Sequence, residues 1–306
     1  AGVKGRTVRQ TDRDGNTLAN GGTRFYEAQD GNIIVTSVDS VIQHYVEEAI
    51  ETGMKRTGAS GIVVLVMNPK TGEVLAMAQT PEFDPNDATE PVDKYEKAAY
   101  DKMSEKKQSE YLSRMWTIEA VSSIYEPGST FKLIAAASSL ETGHSTVNSG
   151  YYCGGGVYVS GTRLNCLGTH GSQSLKVAVG NSCNSALATV ALDMGADTFY
   201  NYIDLFGFRD MTDIDLPGET YSIVKDPDGM GDIDLATTGY GQGIAITPIQ
   251  ILSAVNSFGN GGYLMKPTVV SKILDTNGKV VEETKPTRIR QTVSQETASD
   301  MCEIME

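Results

Sequence analysis

The sequence predicts an α+β fold: an antiparallel sheet built from both chain ends, with a mainly helical subdomain inserted between them. Strand-like stretches with turn dipeptides lie at both ends, helical patterns fill the middle, and no internal repeat is present. The 306 residues suffice for one large domain or two ordinary ones. With 40% hydrophobic and 21% charged residues the chain reads as globular. A net charge of −14 argues against nucleic acid as a partner, because phosphate binding needs a basic face. No apolar run approaches the length that spans a bilayer, and no signal peptide is present.

Taken in order, residues 1–35 read as hairpins, with turns at Asp14-Gly15, Gly21-Gly22 and Asp30-Gly31. A strand is predicted at 32–37, then a helix capped by Asp39 and stopped by Gly53. Its buried stripe is expected from Val41, Ile42, Tyr45, Val46, Ala49 and Ile50. Residues 61–67 read as a central strand and 73–79 as its antiparallel neighbour. Residues 81–91 are a loop, and 94–111 a polar helix or pair of helices. Gly-rich residues 148–172 suggest a hairpin and loops, followed by helices at 175–179, 185–194 and 197–206. Residues 226–234 imitate a calcium loop, but Met230 and Thr237 stand where ligands are required, so a solvated acidic loop is predicted. Thr247-Pro248 opens a helix, Asn277-Gly278 turns a hairpin, and Ser294 caps a last helix.

The chemistry concentrates at Tyr125-Glu126-Pro127-Gly128-Ser129-Thr130-Phe131-Lys132. Pro127 and Gly128 break the preceding structure, Ser129 stands where a helix begins, and an apolar run follows. On a helix, residues three apart share a face, which puts the Lys132 amine over the Ser129 hydroxyl. Burial lowers a lysine pKa, and a neutral amine can take the serine proton. Two other Ser-x-x-Lys matches lack this context: Ser104…Lys107 lies in a charged run and Ser222…Lys225 in a loop. A second group, Asn181-Ser182-Cys183-Asn184, lies between two helices. Ser182 there can relay a proton and Asn184 can hold an amide; both residue types also serve as plain helix caps. The three histidines give no Ser-His-Asp set.

Together these stretches resemble the penicillin-recognising acyl-serine transferases, and more closely the class B penicillin-binding proteins of division and sporulation. The resemblance rests on residues 125–132, His170-Gly-Ser-Gln-Ser174, Asn181-Ser-Cys-Asn184, Leu216-Pro-Gly-Glu219 and the run Gly239-Tyr-Gly-Gln-Gly243 through Gln250. Residues 69–77 and Phe83-Asp84-Pro85-Asn86 fit the same family. It implies Ser129 as nucleophile, Lys132 as general base, Ser182 as proton relay and Asn184 as substrate-amide ligand, with no cofactor. It implies a peptidoglycan D,D-transpeptidase that acts on D-Ala-D-Ala stem peptides and is inhibited by β-lactams. The implied setting is extracytoplasmic, behind an N-terminal membrane anchor absent from this chain, beside a glycosyltransferase of the division or sporulation machinery. A non-catalytic β-lactam sensor or scaffold, and a D,D-carboxypeptidase, are the alternatives.

On the same resemblance, residues 1–35 end a linker or pedestal and 36–306 form the transpeptidase domain. The family's Lys-Thr-Gly motif should follow the helix that starts near Ser294; Lys70-Thr71-Gly72 lies in a strand-to-strand turn far upstream and is rejected. The motif, the second oxyanion donor and the last sheet strands are therefore expected beyond Glu306 or on another fragment, and this fragment alone is expected to be a poor enzyme. Cys153, Cys166, His170 and Cys183 are separated by 12, 3 and 12 residues, which match no zinc ribbon or finger, so no metal is assigned. In an oxidising compartment Cys183 is expected to pair with Cys166 or Cys153, and Cys183 with Cys166 is the possible redox pair.

Overall fold

The computed structural model describes residues 2–16, 18, 22–92 and 94–306. The chain divides into two compact units, Ala1–Ser37 with Val270–Lys285, and Val38–Val269 with Pro286–Glu306.

The chain opens with β1 (Arg6–Arg9) and β2 (Thr23–Tyr26), an antiparallel pair. Within their connection Asp12 Oδ1 accepts from the N–H groups of Asp14 and Asn16, at 3.0 and 2.8 Å, and closes the turn read at Asp14-Gly15. The predicted Gly21-Gly22 turn lies partly outside the described residues. Next comes β3 (Ile33–Thr36).

α1 (Ser40–Thr57) starts as predicted, with Asp39 Oδ1 accepting from Val41 and Ile42 N–H. It does not stop at Gly53 but runs on to Gly58, whose φ of 64° supplies the left-handed cap. Gly53 is there for packing: a Cβ would stand 2.8 Å from Ile62 Cδ1. The buried stripe is the row Ile42, Val46, Ile50 and Met54, while Val41, Tyr45 and Ala49 are exposed.

β4 (Val63–Met67) and β5 (Val74–Gln79) form an antiparallel hairpin. β4 is not central: among the described residues it pairs with β5 alone. Its unbroken apolar run has a different cause, since both of its faces are covered. Val64 and Val66 pack with Val46 and Ile50 of α1, while Val63, Leu65 and Met67 pack with Ile249 and Val121. The polar stretch is two helices, α2 (Lys94–Tyr100) and α3 (Glu105–Trp116), followed by the short α4 (Glu119–Ser122).

α5 (Lys132–Glu141) is buried over most of its surface, including Ser138 and Ser139, and closes before Gly143. The Gly-rich region is two nested hairpins rather than one. β6 (Gly150–Cys153) pairs with β9 (Gly171–Ser174) around the tip formed by β7 (Gly156–Val159) and β8 (Thr162–Asn165). Three helices follow: α6 (Leu175–Gly180), α7 (Asn184–Met194) and α8 (Ala196–Leu205). Phe131, Ile134, Leu187, Phe199, Ile203 and Phe208 form the centre of this helical core. The predicted acidic loop is partly helical, as α9 (Asp232–Thr238), whose first turn carries Asp232 and Asp234 where the helix dipole favours them.

α10 (Pro248–Asn256) carries a full capping box between Thr247 and Gln250. β10 (Tyr263–Met265), β11 (Val270–Leu274), β12 (Val280–Glu283) and β13 (Arg288–Gln291) follow, and Ser294 caps α11 (Gln295–Met305). The smaller unit holds a three-stranded antiparallel sheet in the order β12-β11-β3, which joins the start of the chain to its late hairpin. β10 pairs with β13 in the larger unit.

Candidate active site

The residues before α5 do not form an ordinary helix start. Gly128–Phe131 is a 3₁₀ turn feeding α5, and Ser129 lies inside that turn rather than capping it. The Thr130 hydroxyl donates to Pro127 O at 2.8 Å, and Phe131 anchors the turn in the core against Phe199 and Phe208. Ser129 is exposed, while Lys132 is only 1% exposed.

The turn is braced by a distant segment. Tyr125 and Ile246 exchange backbone hydrogen bonds at 3.0 Å each, and Gly128 N–H donates to Gly241 O at 3.0 Å. Glu126 Oε1 accepts from Gly243 N–H at 2.8 Å. Gly241 has φ +82°, and a Cβ there would stand 2.1 Å from Gly128 O, so the two backbones touch where only glycine fits.

Ser182 and Asn184 come to the same place from the link between α6 and α7. Cys183 is the N-cap of α7, and Asn184 its first residue. Ser182 has φ +51°, a conformation costing a non-glycine residue about 1–3 kcal/mol. It turns both the Ser182 carbonyl and its hydroxyl toward Lys132. Lys132 Nζ lies 2.6 Å from Ser182 O, 2.8 Å from Ser182 Oγ, 2.7 Å from Asn184 Oδ1 and 3.2 Å from Ser129 Oγ. Ser182 Oγ donates to Ser129 Oγ at 2.8 Å. Asn184 Nδ2 donates to Asn165 O at 3.1 Å, which fixes the amide so that its oxygen faces Lys132.

The protonation logic follows from these partners. Ser182 O and Asn184 Oδ1 can only accept, so they use two N–H bonds of Lys132. A neutral amine then has one lone pair left, open to the Ser129 hydroxyl while the Ser182 hydroxyl donates to Ser129 Oγ. Burial lowers the Lys132 pKa below the ordinary lysine value, and the nearby Cys166 and Cys183 side chains oppose it only in part.

All four predicted site residues, Ser129, Lys132, Ser182 and Asn184, thus meet in one hydrogen-bonded group. Lys70-Thr71-Gly72 does not join it; the triplet sits in the β4–β5 turn, where Gly72 O accepts from Thr268 N–H. Cys166 Sγ lies 3.9 Å from Cys183 Sγ, and all four cysteines are free thiols. Burial raises the Cys183 thiol. Burial would raise Cys153 too, but hydrogen bonds from Ser185 and the backbone of His170 and Gly155 bring it down. Residue-by-residue reading missed three supports: Asn165, Gly241 and the Glu126–Gly243 bond. The glycine spacing at 239, 241 and 243 was the available signal for two of them.

A family model described as the penicillin binding protein transpeptidase domain matches residues 62–306. "Stage V sporulation protein D" of Bacillus subtilis is 32% identical over 304 residues, covering 98% of this chain and 44% of that protein. The crystal structure of Penicillin Binding Protein 2X from Streptococcus thermophilus superimposes with a TM-score of 0.81 at 27% identity, over 99% of this chain and 42% of that one. Penicillin binding protein 3 of Mycobacterium tuberculosis, complexed with aztreonam, gives 0.78 at 26% identity, over 96% of this chain and 64% of that one.

Proposed function

The chain belongs to the penicillin-binding protein transpeptidase domain family, and on that premise we propose that it carries the acyl-transfer site of a peptidoglycan D,D-transpeptidase. The observation that carries the reading is the triangle of Ser129, Lys132 and Ser182, with hydroxyl and amine within 3.2 Å and both of its other sides 2.8 Å. Ser129 Oγ attacks the penultimate D-Ala carbonyl of a stem peptide. Its proton passes to neutral Lys132, directly or through Ser182. The tetrahedral intermediate places its oxyanion at the Ser129 N–H. It collapses as terminal D-Ala leaves, taking the proton back from Lys132, and an amine of a second strand resolves the acyl-enzyme. Asn184 holds the substrate amide. A β-lactam enters by the same attack and stays as an acyl adduct.

The chain spans 44% of the sporulation protein it matches, so the setting of the whole protein is part of the proposal. We assign residues 36–306 to the transpeptidase domain and 1–35 to the end of a preceding linker, on the extracytoplasmic face of the membrane, with a glycosyltransferase as partner. Among the described residues no helix is long and apolar enough to cross a membrane.

The test is intact mass after incubation with a β-lactam, followed by peptide mapping. The expected result is one adduct on Ser129, lost in Ser129→Ala. An adduct on another residue, or an equal adduct in Ser129→Ala, would overturn the assignment. A deacylating or transpeptidating chain is an enzyme; an adduct that never turns over, with no release of D-Ala from a stem peptide, marks a sensor.

A further inference from the structure

Cys153, Cys166, His170 and Cys183 are scattered by spacing but not in space. Cys153 ends β6, Cys166 follows β8, His170 precedes β9 and Cys183 caps α7. The hairpin of β7 and β8 folds back on itself and returns Cys166 to Cys153. One ligand atom from each of the four residues lies within 4.8 Å of all the others. Cys166 Sγ is 3.9 Å from Cys183 Sγ and 3.7 Å from His170 Nδ1. A tetrahedral zinc with bonds of about 2.3 Å to sulfur and 2.0 Å to nitrogen requires sulfur–sulfur edges of about 3.8 Å and sulfur–nitrogen edges of about 3.5 Å. Two of the six separations, 3.9 and 3.7 Å, match edges of that tetrahedron, and the others lie within 4.8 Å.

We propose that Cys153, Cys166, Cys183 and His170 bind one zinc ion per chain in a closed structural site. Three sulfurs and one imidazole are the donor set that selects zinc among common divalent cations. The Cys153 sulfur lies 3.4 Å from the Ser185 hydroxyl and 3.5 Å from Gly168 O. Ala186 N–H reaches the Cys183 sulfur at 3.5 Å. Binding sends the three thiol protons to solvent, and nothing is oxidised. All four positions are taken by protein, so no place remains for a reacting water. The ion ties the nested hairpins to Cys183, and hence holds the backbone on either side of it, at Ser182 and Asn184. A Cys166–Cys183 disulfide is the competing use; it would draw the sulfurs to about 2.05 Å and leave Cys153 and His170 outside.

The test reads metal alone, so it stands apart from the transpeptidase reading. The full chain, kept reduced and purified without chelator, is expected to carry one zinc by native mass spectrometry and elemental analysis. Stripped and titrated with Co²⁺, it should saturate at one equivalent, with thiolate charge-transfer absorption and the visible bands of tetrahedral cobalt. Cys166→Ser should weaken Co²⁺ binding about tenfold or more and keep about two thirds of the charge-transfer intensity, as two thiolates replace three. His170→Ala should weaken binding and keep the full thiolate band. Far-ultraviolet circular dichroism checks that both variants are folded. A reduced wild-type chain without cobalt charge transfer would overturn the proposal, as would binding indifferent to both substitutions. So would a Cys166–Cys183 disulfide in the purified chain that takes up no metal after reduction.

Discussion

At Lys132, buried among two acceptor oxygens and two hydroxyls, charge state decides the chemistry. An ammonium has no lone pair to receive a proton, whereas the neutral amine does. Because burial lowers this pKa below the ordinary 10.5, the neutral fraction grows as pH rises through that lowered value. The acylation rate with a fluorescent penicillin should therefore climb with pH and level off below 10.5. Lys132→Gln should slow acylation by about 10²–10⁴-fold and remove the pH dependence. A fast, pH-dependent Lys132→Gln would reassign the base. Gly241 makes a different prediction because it touches no substrate. Gly241→Ala puts a methyl 2.1 Å from Gly128 O in a backbone region alien to alanine. It should cost about 1–3 kcal/mol of stability and slow acylation as well. Urea unfolding and the same penicillin assay read the two effects separately. The four polar residues were legible in the sequence because their chemistry dictates residue type. The glycine brace was visible only as a string, since what it touches is 113 residues away (241 − 128).

Helix ends make predictions of their own. Glu141, the last residue of α5, accepts from the N–H and the hydroxyl of Ser294 at 2.9 and 2.8 Å, at the start of α11. Burial would raise its pKa, but hydrogen bonds from Thr297 and Ser294 outweigh it and lower the value below 4.5. A carboxyl lowered on folding adds stability above its unfolded pKa and loses it as pH falls through its folded one. Glu141→Gln should cost about 1 kcal/mol at neutral pH, and the difference from wild type should shrink in acid below 4.5. Urea midpoints across that range check it; a constant difference would mean that the charge contributes nothing. Elements were legible where capping chemistry is explicit, as at Asp39, Thr247 and Ser294. They were not where tertiary packing decides. Gly53 looks like a stop signal until Ile62 is placed against it. β10 and β13, of three and four residues, are too short for alternation to register. α9 was hidden because its acidic first turn mimics a solvated loop.

Over the whole molecule, spacing along the chain proved a poor ruler. Cys153 and Cys166 are distant in sequence, yet they flank a hairpin that closes on itself, so pattern matching discards a cluster that the fold assembles. The active-site turn depends on the same kind of long return. If the brace is one cooperative unit, the amides of Tyr125, Gly128, Gly243 and Ile246 should exchange with deuterium at one common rate in native-state measurements. Independent rates at positions 125–128 and 243–246 would show that the brace is loose. That long return also orders events during synthesis. Glu126 and Gly243 are 117 residues apart, and Ser129, Lys132, Ser182 and Asn184 all lie between them. A ribosome delivers the N-terminus first, so every reacting group emerges before the segment that holds the nucleophile's turn. Until residues 241–246 arrive, the turn that holds Ser129 lacks the backbone partners of Tyr125 and Gly128.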